Sequence, residues 1–408
     1  MNLTTRRGLN CLALCLVIMS CDVNEDNTIP SQVNDINFAE YVATVSDAVV
    51  SYPKIVSIKD KNVEVKEFEV FRDSLQLNTV FRIPSIFLTD KGTILLSCEN
   101  RALLHDEGVM DILIARKEAG ASSWDIMKVF KYNEEKGRSM DPVFAAENTG
   151  AYNRIYIMVG QFRDNRDCLY STSDDIDFVY KYSDDDGRTW SDEVSIKEFW
   201  DTTSYDGAFP APANGITDDA GTLYIPLYVQ KEGITYSGIA YKKKGENWSF
   251  SKKTMAGDNE STVYIGLDGA IMLDCRTIYK YRRKYIYNIE KDTFTLQPWS
   301  FNNNVNLKAE ITQVRYKGRQ FFLMPYVDSE MGLRENLTLY GSKDGNEWKK
   351  IYRIYEGRMD SKYGDNYGYS NIAWNDNNAV ITYETEKAVY CQEINNLKED
   401  IFSVLFQE

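Results

Sequence analysis

One short unit, written twice, limits what this chain can fold into more than any other feature. Ser183-Asp184-Asp185-Asp186-Gly187-Arg188-Thr189-Trp190 fits S-x-D-x-G-x-T-W in full, and Ser342-Lys343-Asp344-Gly345-Asn346-Glu347-Trp348 is a copy one residue short. Weaker echoes are Gly245-Glu246-Asn247-Trp248 and the stretch from Glu118 through Gly120 to Trp124. The unit has the chemistry of a hairpin turn. Ser and Asp side chains satisfy turn backbone groups, Gly takes a conformation other residues avoid, and Trp packs between strands. Recurrence of such a unit, each copy marking about one four-stranded blade, predicts a β-propeller.

The surrounding chain agrees. Turn signals lead into short apolar runs: Asp90-Lys91-Gly92 into Thr93 to Leu96, Asp219-Ala220-Gly221 into Thr222 to Ile225, and Asp268-Gly269 into Ala270 to Leu273. Further strands are expected at Arg154 to Val159, Arg319 to Met324, Leu337 to Tyr340 and Ala379 to Tyr383. Tyr alone numbers 28 and long helical periodicity is absent, so the class is all-β.

Composition removes several functions. With a net charge of −14 and no basic run, a generic nucleic-acid binder is disfavoured. A single histidine, His105, leaves no charge-relay triad and no multi-histidine metal centre. Cys98, Cys168, Cys275 and Cys391 form no C-x-x-C pair, so no zinc site is expected, and no cofactor. Acid–base chemistry must therefore rest on carboxylates, Tyr, Cys or Lys.

At the N-terminus Arg6 and Arg7 precede the apolar stretch Leu9 to Met19, too short to span a bilayer but suited to an export signal. Ile18-Met19-Ser20-Cys21 resembles the lipobox of bacterial lipoproteins, which implies acylation of Cys21 and anchoring at the periplasmic or outer-membrane surface. Residues 22–65 carry no repeat and read as a tether and N-terminal extension, part of it available to close the last blade. The propeller is expected over 66–408.

An ordered set of motifs carries the chemistry. Phe81-Arg82-Ile83-Pro84 precedes the first turn–strand unit. Glu99-Asn100-Arg101 closes the next strand, with Asp106 in the following loop and Glu107 as its rival. Met140-Asp141-Pro142, Asn259-Glu260, Arg276 and Arg334 follow, Arg315 being the competing choice for the last. Gly368-Tyr369-Ser370, with Tyr363 and Tyr367 as alternatives, and Tyr383-Glu384 complete the series. In order and context it resembles the bacterial exo-sialidases of the glycoside hydrolase family 33 type, with their F-R-I-P motif and Asp-box repeats.

That resemblance implies six blades and a defined site. Arg82, Arg276 and Arg334 would clamp the carboxylate of a sialic acid, a task for which the guanidinium fork is well shaped. Glu384 would orient Arg82. Tyr369 would be the nucleophile, Glu260 the base that draws off its proton, and Asp106 the acid/base. A neutral phenol suits an anomeric carbon that bears a carboxylate, and sialidases are for that reason a known exception to the two-carboxylate rule of glycoside hydrolysis. Arg101 and Asp141 would contact ring hydroxyls, and Met140 and Phe162 would line the N-acyl pocket. The substrates implied are sialylated glycans, taken by a monomer without nucleic acid. Two other readings use the same residues: a hydrolase or transglycosylase for a modified nonulosonic acid, and a non-catalytic sialoglycan-binding propeller.

Overall fold

In the computed structural model the described residues are 49–72, 79–149, 153–163, 171–200, 204–299, 301, 305–360 and 367–407. The expected signal segment with Cys21, the first part of the tether, Cys168 and Tyr363 lie outside them.

The described chain opens with a hairpin, β1 (Val50–Ile58) and β2 (Lys61–Arg72). Five antiparallel blades follow in chain order, each running from its innermost to its outermost strand. The first is β3 (Val80–Leu88), β4 (Ile94–Arg101), β5 (Met110–Lys117) and β6 (Asp125–Phe130). The second is β7 (Arg138–Asn148), β8 (Asn153–Phe162), β9 (Ile176–Ser183) and β10 (Val194–Ser195). The third contains β11 (Gly207–Pro210), the two-residue β12 (Ile216–Thr217), β13 (Leu223–Lys231), β14 (Ile234–Lys242) and β15 (Trp248–Phe250). The fourth is β16 (Asp258–Ile265), β17 (Ile271–Thr277), β18 (Arg282–Asn288) and β19 (Thr293–Gln297). The fifth is β20 (Thr312–Tyr316), β21 (Arg319–Val327), β22 (Leu337–Ser342) and β23 (Trp348–Arg353).

The sixth blade is built from both ends of the chain. β24 (Ser370–Trp374), β25 (Ala379–Glu384) and β26 (Ala388–Glu393) come last in sequence, and β2 then pairs with β26. Its buried Glu67 accepts hydrogen bonds from Tyr52 (2.8 Å), Lys54 (2.9 Å) and Tyr383 (2.7 Å), tying the two chain ends together. The sheet therefore begins at Val50 rather than at residue 66, and this closure leaves no open edge on β26. The ring is a six-bladed β-propeller.

Apolar cores lie between adjacent blades. Leu95, Ile112 and Phe130 of the first blade pack on Phe144, Ile157 and Val179 of the second, and Phe68, Phe81, Leu96 and Val389 seal the sixth against the first. Strands buried on both faces read as continuous apolar runs, as in β4 and β5, whereas the outer β19 and β23 are largely exposed. A C-terminal helix, α1 (Lys398–Phe406), sets Phe402 and Phe406 against Phe321. It is the one described α-helix, and its nine residues are too few to give a long periodic pattern in sequence.

In the four blades that carry it, the repeated turn occupies the same place, between the last two strands. It lies at β9–β10 and β22–β23, with its echoes at β5–β6 and β14–β15. Asp185 accepts from Ser183 Oγ (2.8 Å), the N–H of Arg188 (3.1 Å), the N–H of Thr189 (2.8 Å) and the Thr189 hydroxyl (2.6 Å). Asp344 repeats the scheme with Ser342 and the N–H groups of Asn346 and Glu347. The sixth blade has no such turn because its outer strand comes from the N-terminus.

At Gly187 (φ 78°) a Cβ would come within 2.7 Å of Leu95 in the first blade, so this glycine is required by both conformation and space. Burial presses the Asp185 carboxyl upward, but the bonds from Thr189, Ser183 and Arg188 outweigh it and hold the group below its usual value. Asp185→Ala is expected to cost about 1–3 kcal/mol of stability at neutral pH, read as a lowered urea midpoint. The native carboxyl is the more acidic one. Its contribution is therefore complete above the usual value near 3.8 and fades as the pH falls below it, so the gap between wild type and variant should narrow in acid.

Candidate active site

Three innermost strands break register where a motif stands. The irregularities fall between Arg82 and Ser85 in β3, Met140 and Val143 in β7, and Asp258 and Ser261 in β16. A bulge re-aims side chains that a regular strand would alternate between faces. Ile83 (φ 54°) and Asp141 (φ 56°) hold left-handed backbone conformations, costly for a β-branched residue, and each precedes a proline. The bulges turn Arg82, Asp141 and Glu260 toward a cavity of about 350 Å³.

Tyr369 forms one wall of that cavity. Its hydroxyl donates to Glu260 Oε1 at 2.5 Å and receives Arg276 Nη1 at 3.1 Å. The guanidinium carbons of Arg334 and Arg82 lie 5.7 and 5.9 Å from its ring centre. Burial and the Glu260 carboxylate push the phenol far above its ordinary value, against the pull of Arg276 and Arg334. Tyr369 is therefore neutral at rest and needs a base at the moment of attack.

The three arginines are held in different ways. Arg82 is paired with Glu384, with Nη2 at 3.2 Å from Oε1. Glu384 also accepts from the N–H groups of Ile83 (2.7 Å), Gly368 (3.1 Å) and Tyr369 (3.3 Å), so one buried carboxylate joins the F-R-I-P bulge to the tyrosine loop. Arg276 is bound by Glu260 (2.5 Å) and by Asn306 Oδ1 (2.7 Å). Arg334 donates to the carbonyls of Tyr367 (3.1 Å) and Asn306 (2.9 Å), while its buried Nε has no hydrogen-bond partner among the described residues. Burial, with Arg276 and Arg82 nearby, presses this guanidinium below its usual value despite Tyr369. A buried guanidinium facing a cavity with a spare donor is suited to receive an anion.

Asp106 stands across the cavity, half-exposed, with Oδ1 2.7 Å from Arg101 Nη1. Enclosure raises its carboxyl, but Arg101 and Arg82 outweigh that and hold it below its ordinary value. Arg101 is fully buried against Glu99, whose other oxygen accepts from the Asp141 N–H at 2.7 Å. Burial and the neighbouring carboxylates of Glu99, Glu260 and Asp106 raise the Asp141 carboxyl well above its usual value, against the pull of Arg101.

Several expectations about these residues are refined by the geometry. Met140 lines the cavity, but Phe162 does not: it is fully buried behind the wall, its ring meeting Phe209 edge-on at 5.0 Å. Phe209 and Tyr228, stacked at 4.6 Å, take the wall position. Arg315 is exposed on β20 while Arg334 lines the cavity, and Tyr367 lies beneath Arg82 with its ring centre 5.0 Å from the guanidinium. Glu107 shares the lining with Asp106. Asn306 and Glu99 were not anticipated as site residues. Glu99 had a detectable signal, standing two residues from Arg101 on one strand, but Asn306 had none. Asp111 is structural, accepting from the Tyr132 N–H (2.7 Å) and Lys128.

A second cavity of about 330 Å³ lies at the other end of β17, lined by Asp268, Lys284 and Asp344 among others, and has no arginine in its lining. Among the described residues no cluster of His, Cys, Asp and Glu could hold a metal ion, and Cys98, Cys275 and Cys391 are buried.

Over 95% of both chains this protein is 24% identical to a sialidase of Paraclostridium sordellii. It is 26% identical to a sialidase of Clostridium perfringens across 77% of this chain and 88% of that one. Its fold matches Trypanosoma rangeli sialidase in complex with 2,3-difluorosialic acid, described as a covalent intermediate, with a TM-score of 0.68 at 17% identity. That match covers 88% of this chain but only 58% of the trypanosomal one, which is the longer protein. Residues 76–381, three quarters of the sequence, match the family model for a BNR repeat-like domain, and the chain belongs to that family.

Proposed function

We propose that the protein is an exo-α-sialidase that releases terminal α-linked sialic acid with retention of configuration. The observation that carries this is the hydrogen-bonded Tyr369–Glu260 pair, set among three arginines one of which has a spare buried donor. Arg82, Arg276 and Arg334 bind the substrate carboxylate, which places the anomeric carbon over Tyr369. As the phenol oxygen bonds to that carbon, its proton passes to Glu260. The glycosidic bond breaks, and its oxygen takes the proton of Asp106. Water then attacks the tyrosyl–sugar bond, giving a proton to Asp106 while Glu260 returns one to the phenol oxygen. Two inversions leave the configuration unchanged.

The matched sialidases support the substrate class. The segment up to Cys21 supports export as a lipoprotein, with the propeller anchored at the cell envelope through acyl chains on that cysteine.

The chain from residue 22, without Cys21, is expected to release the fluorogenic aglycone of an α-sialoside. Proton NMR of the reaction should show the α-anomer of free sialic acid first and its mutarotation later. Initial β-anomer would overturn the double displacement, and no release by a folded protein would overturn the sialidase reading.

A further inference from the structure

One layer below the clamp, the axis of the propeller holds a buried polar circuit that none of the catalytic steps uses. Lys308 Nζ donates to Asn371 Oδ1 (2.8 Å), to Glu310 Oε2 (3.3 Å) and to the Pro212 carbonyl. Asn371 Nδ2 donates to the Pro84 carbonyl at 2.6 Å. Ser85 Oγ reaches Asn214 Oδ1 (2.9 Å), and the Asn214 N–H reaches Glu310 Oε1 (3.4 Å). The circuit returns to its start through four of the six blades. Lys308 and Glu310 are almost wholly buried, 1% and 2% exposed, which is expensive for both charges unless the partners are fixed.

Its members stand next to the site in sequence. Pro84 follows Arg82 by two residues, Asn371 follows Tyr369 by two, and Lys308 follows Asn306 by two. Asn306 is the residue that touches both Arg276 and Arg334. The circuit thus fastens the segments that carry Arg82 and the nucleophile to that of Asn306, on which Arg276 and Arg334 both rest.

We infer that Lys308 and Glu310 are positioning residues for the sialidase reaction, holding the segments of Arg82, Asn306 and Tyr369 in mutual register from beneath. The inference rests on the sialidase reading for its kinetic consequence but not for its geometry. Burial lowers Lys308, and burial raises Glu310 to about 7. Removing both together therefore leaves no lone buried charge, and well-packed apolar replacements of such a pair are often tolerated.

The test is Lys308→Met/Glu310→Leu, with the near-isosteric Asn371→Leu as a second variant that cuts only the link from Lys308 to Pro84. A misplacement of about 1 Å far from the chemistry costs on the order of 100-fold. Both variants are expected to lose about 10- to 100-fold in kcat/KM, mostly in kcat, with a urea midpoint near that of wild type. Their crystal structures should show Arg276 or Arg334 displaced from Asn306. A merely structural role would move the midpoint and leave kcat untouched. Wild-type kcat/KM in folded variants overturns the inference, and should the double variant not fold, Asn371→Leu decides. If the wild type itself releases no sialic acid, the sialidase reading has failed, and the variant structures alone judge the register: arginines still seated on Asn306 overturn it.

Discussion

Tyr369→Phe is expected to lower kcat for an α-sialoside by a factor on the order of 10⁴ while leaving the fold and KM nearly unchanged. The substitution removes one oxygen. The ring stays buried between the guanidinium groups of Arg82 and Arg334, and the 2.5 Å ion pair between Arg276 and Glu260 persists without the phenol. What disappears is the atom that must bond to the anomeric carbon. Direct attack by water in its place would need a base aligned on that carbon, yet Glu260 is aimed at the phenol. The weakened acidity of the buried Tyr369 phenol explains why the pair belongs together: the neutral hydroxyl is not repelled by the substrate carboxylate, and it becomes a nucleophile only as Glu260 accepts its proton. Stopped-flow kinetics would read the loss. Mass spectrometry after exposure to 2,3-difluorosialic acid should find a sugar adduct on Tyr369 of the wild type and none at position 369 of the variant. An adduct on another residue would reassign the nucleophile. A variant within tenfold of wild type would show that the tyrosine only lines the site.

How much of this was legible along the chain follows from which parts are local. The repeated turn was, because the hydrogen bonds that shape it link residues within four positions, as from Ser183 to Gly187 and Asp185 to Thr189. Arg82, Arg276, Arg334, Tyr369 and Glu384 were found through short motifs that resemble a family, and the bulges in β3, β7 and β16 bring the motif-bearing segments to one cavity. Asn306 was not legible. It stands in no motif, and its role exists only because two arginines from different blades meet on its carbonyl and amide oxygens. The Phe162 assignment failed for a related reason. A strand residue near a pocket can be aimed at the pocket or at the next blade, and here Phe209 of the third blade holds the wall position with Phe162 buried against it. That part of residues 22–65 closes the last blade was expected, but its start at Val50 was hidden, since β2 owes its place to pairing with a strand more than three hundred residues later and β1 to pairing with β2.

The second large effect is expected at Asp106, and the leaving group decides its size. Asp106→Asn should lower turnover of a sialyl-disaccharide by about 10²- to 10⁴-fold, because a sugar alkoxide cannot depart without a proton. An aryl aglycone departs unaided, so its first release should survive, and the missing base should then slow hydrolysis of the tyrosyl intermediate. The signature is a burst of aryl alcohol equal to the enzyme concentration followed by a slow steady state. Wild-type pH dependence should carry the same residue. In the free enzyme Arg101 and Arg82 hold the Asp106 carboxyl below its usual value, so the protonated acid is lost at low pH and kcat/KM should fall early on the alkaline side. A bound sialoside sets its own carboxylate on Arg82, which offsets that charge and raises Asp106. The alkaline limb of kcat should therefore lie at higher pH than that of kcat/KM, and Asp106→Asn should abolish both. Glu107→Gln is the control, since Glu107 shares the cavity lining but not the 2.7 Å contact with Arg101. A disaccharide-selective loss and burst in Glu107→Gln instead would transfer the acid/base role to that neighbour.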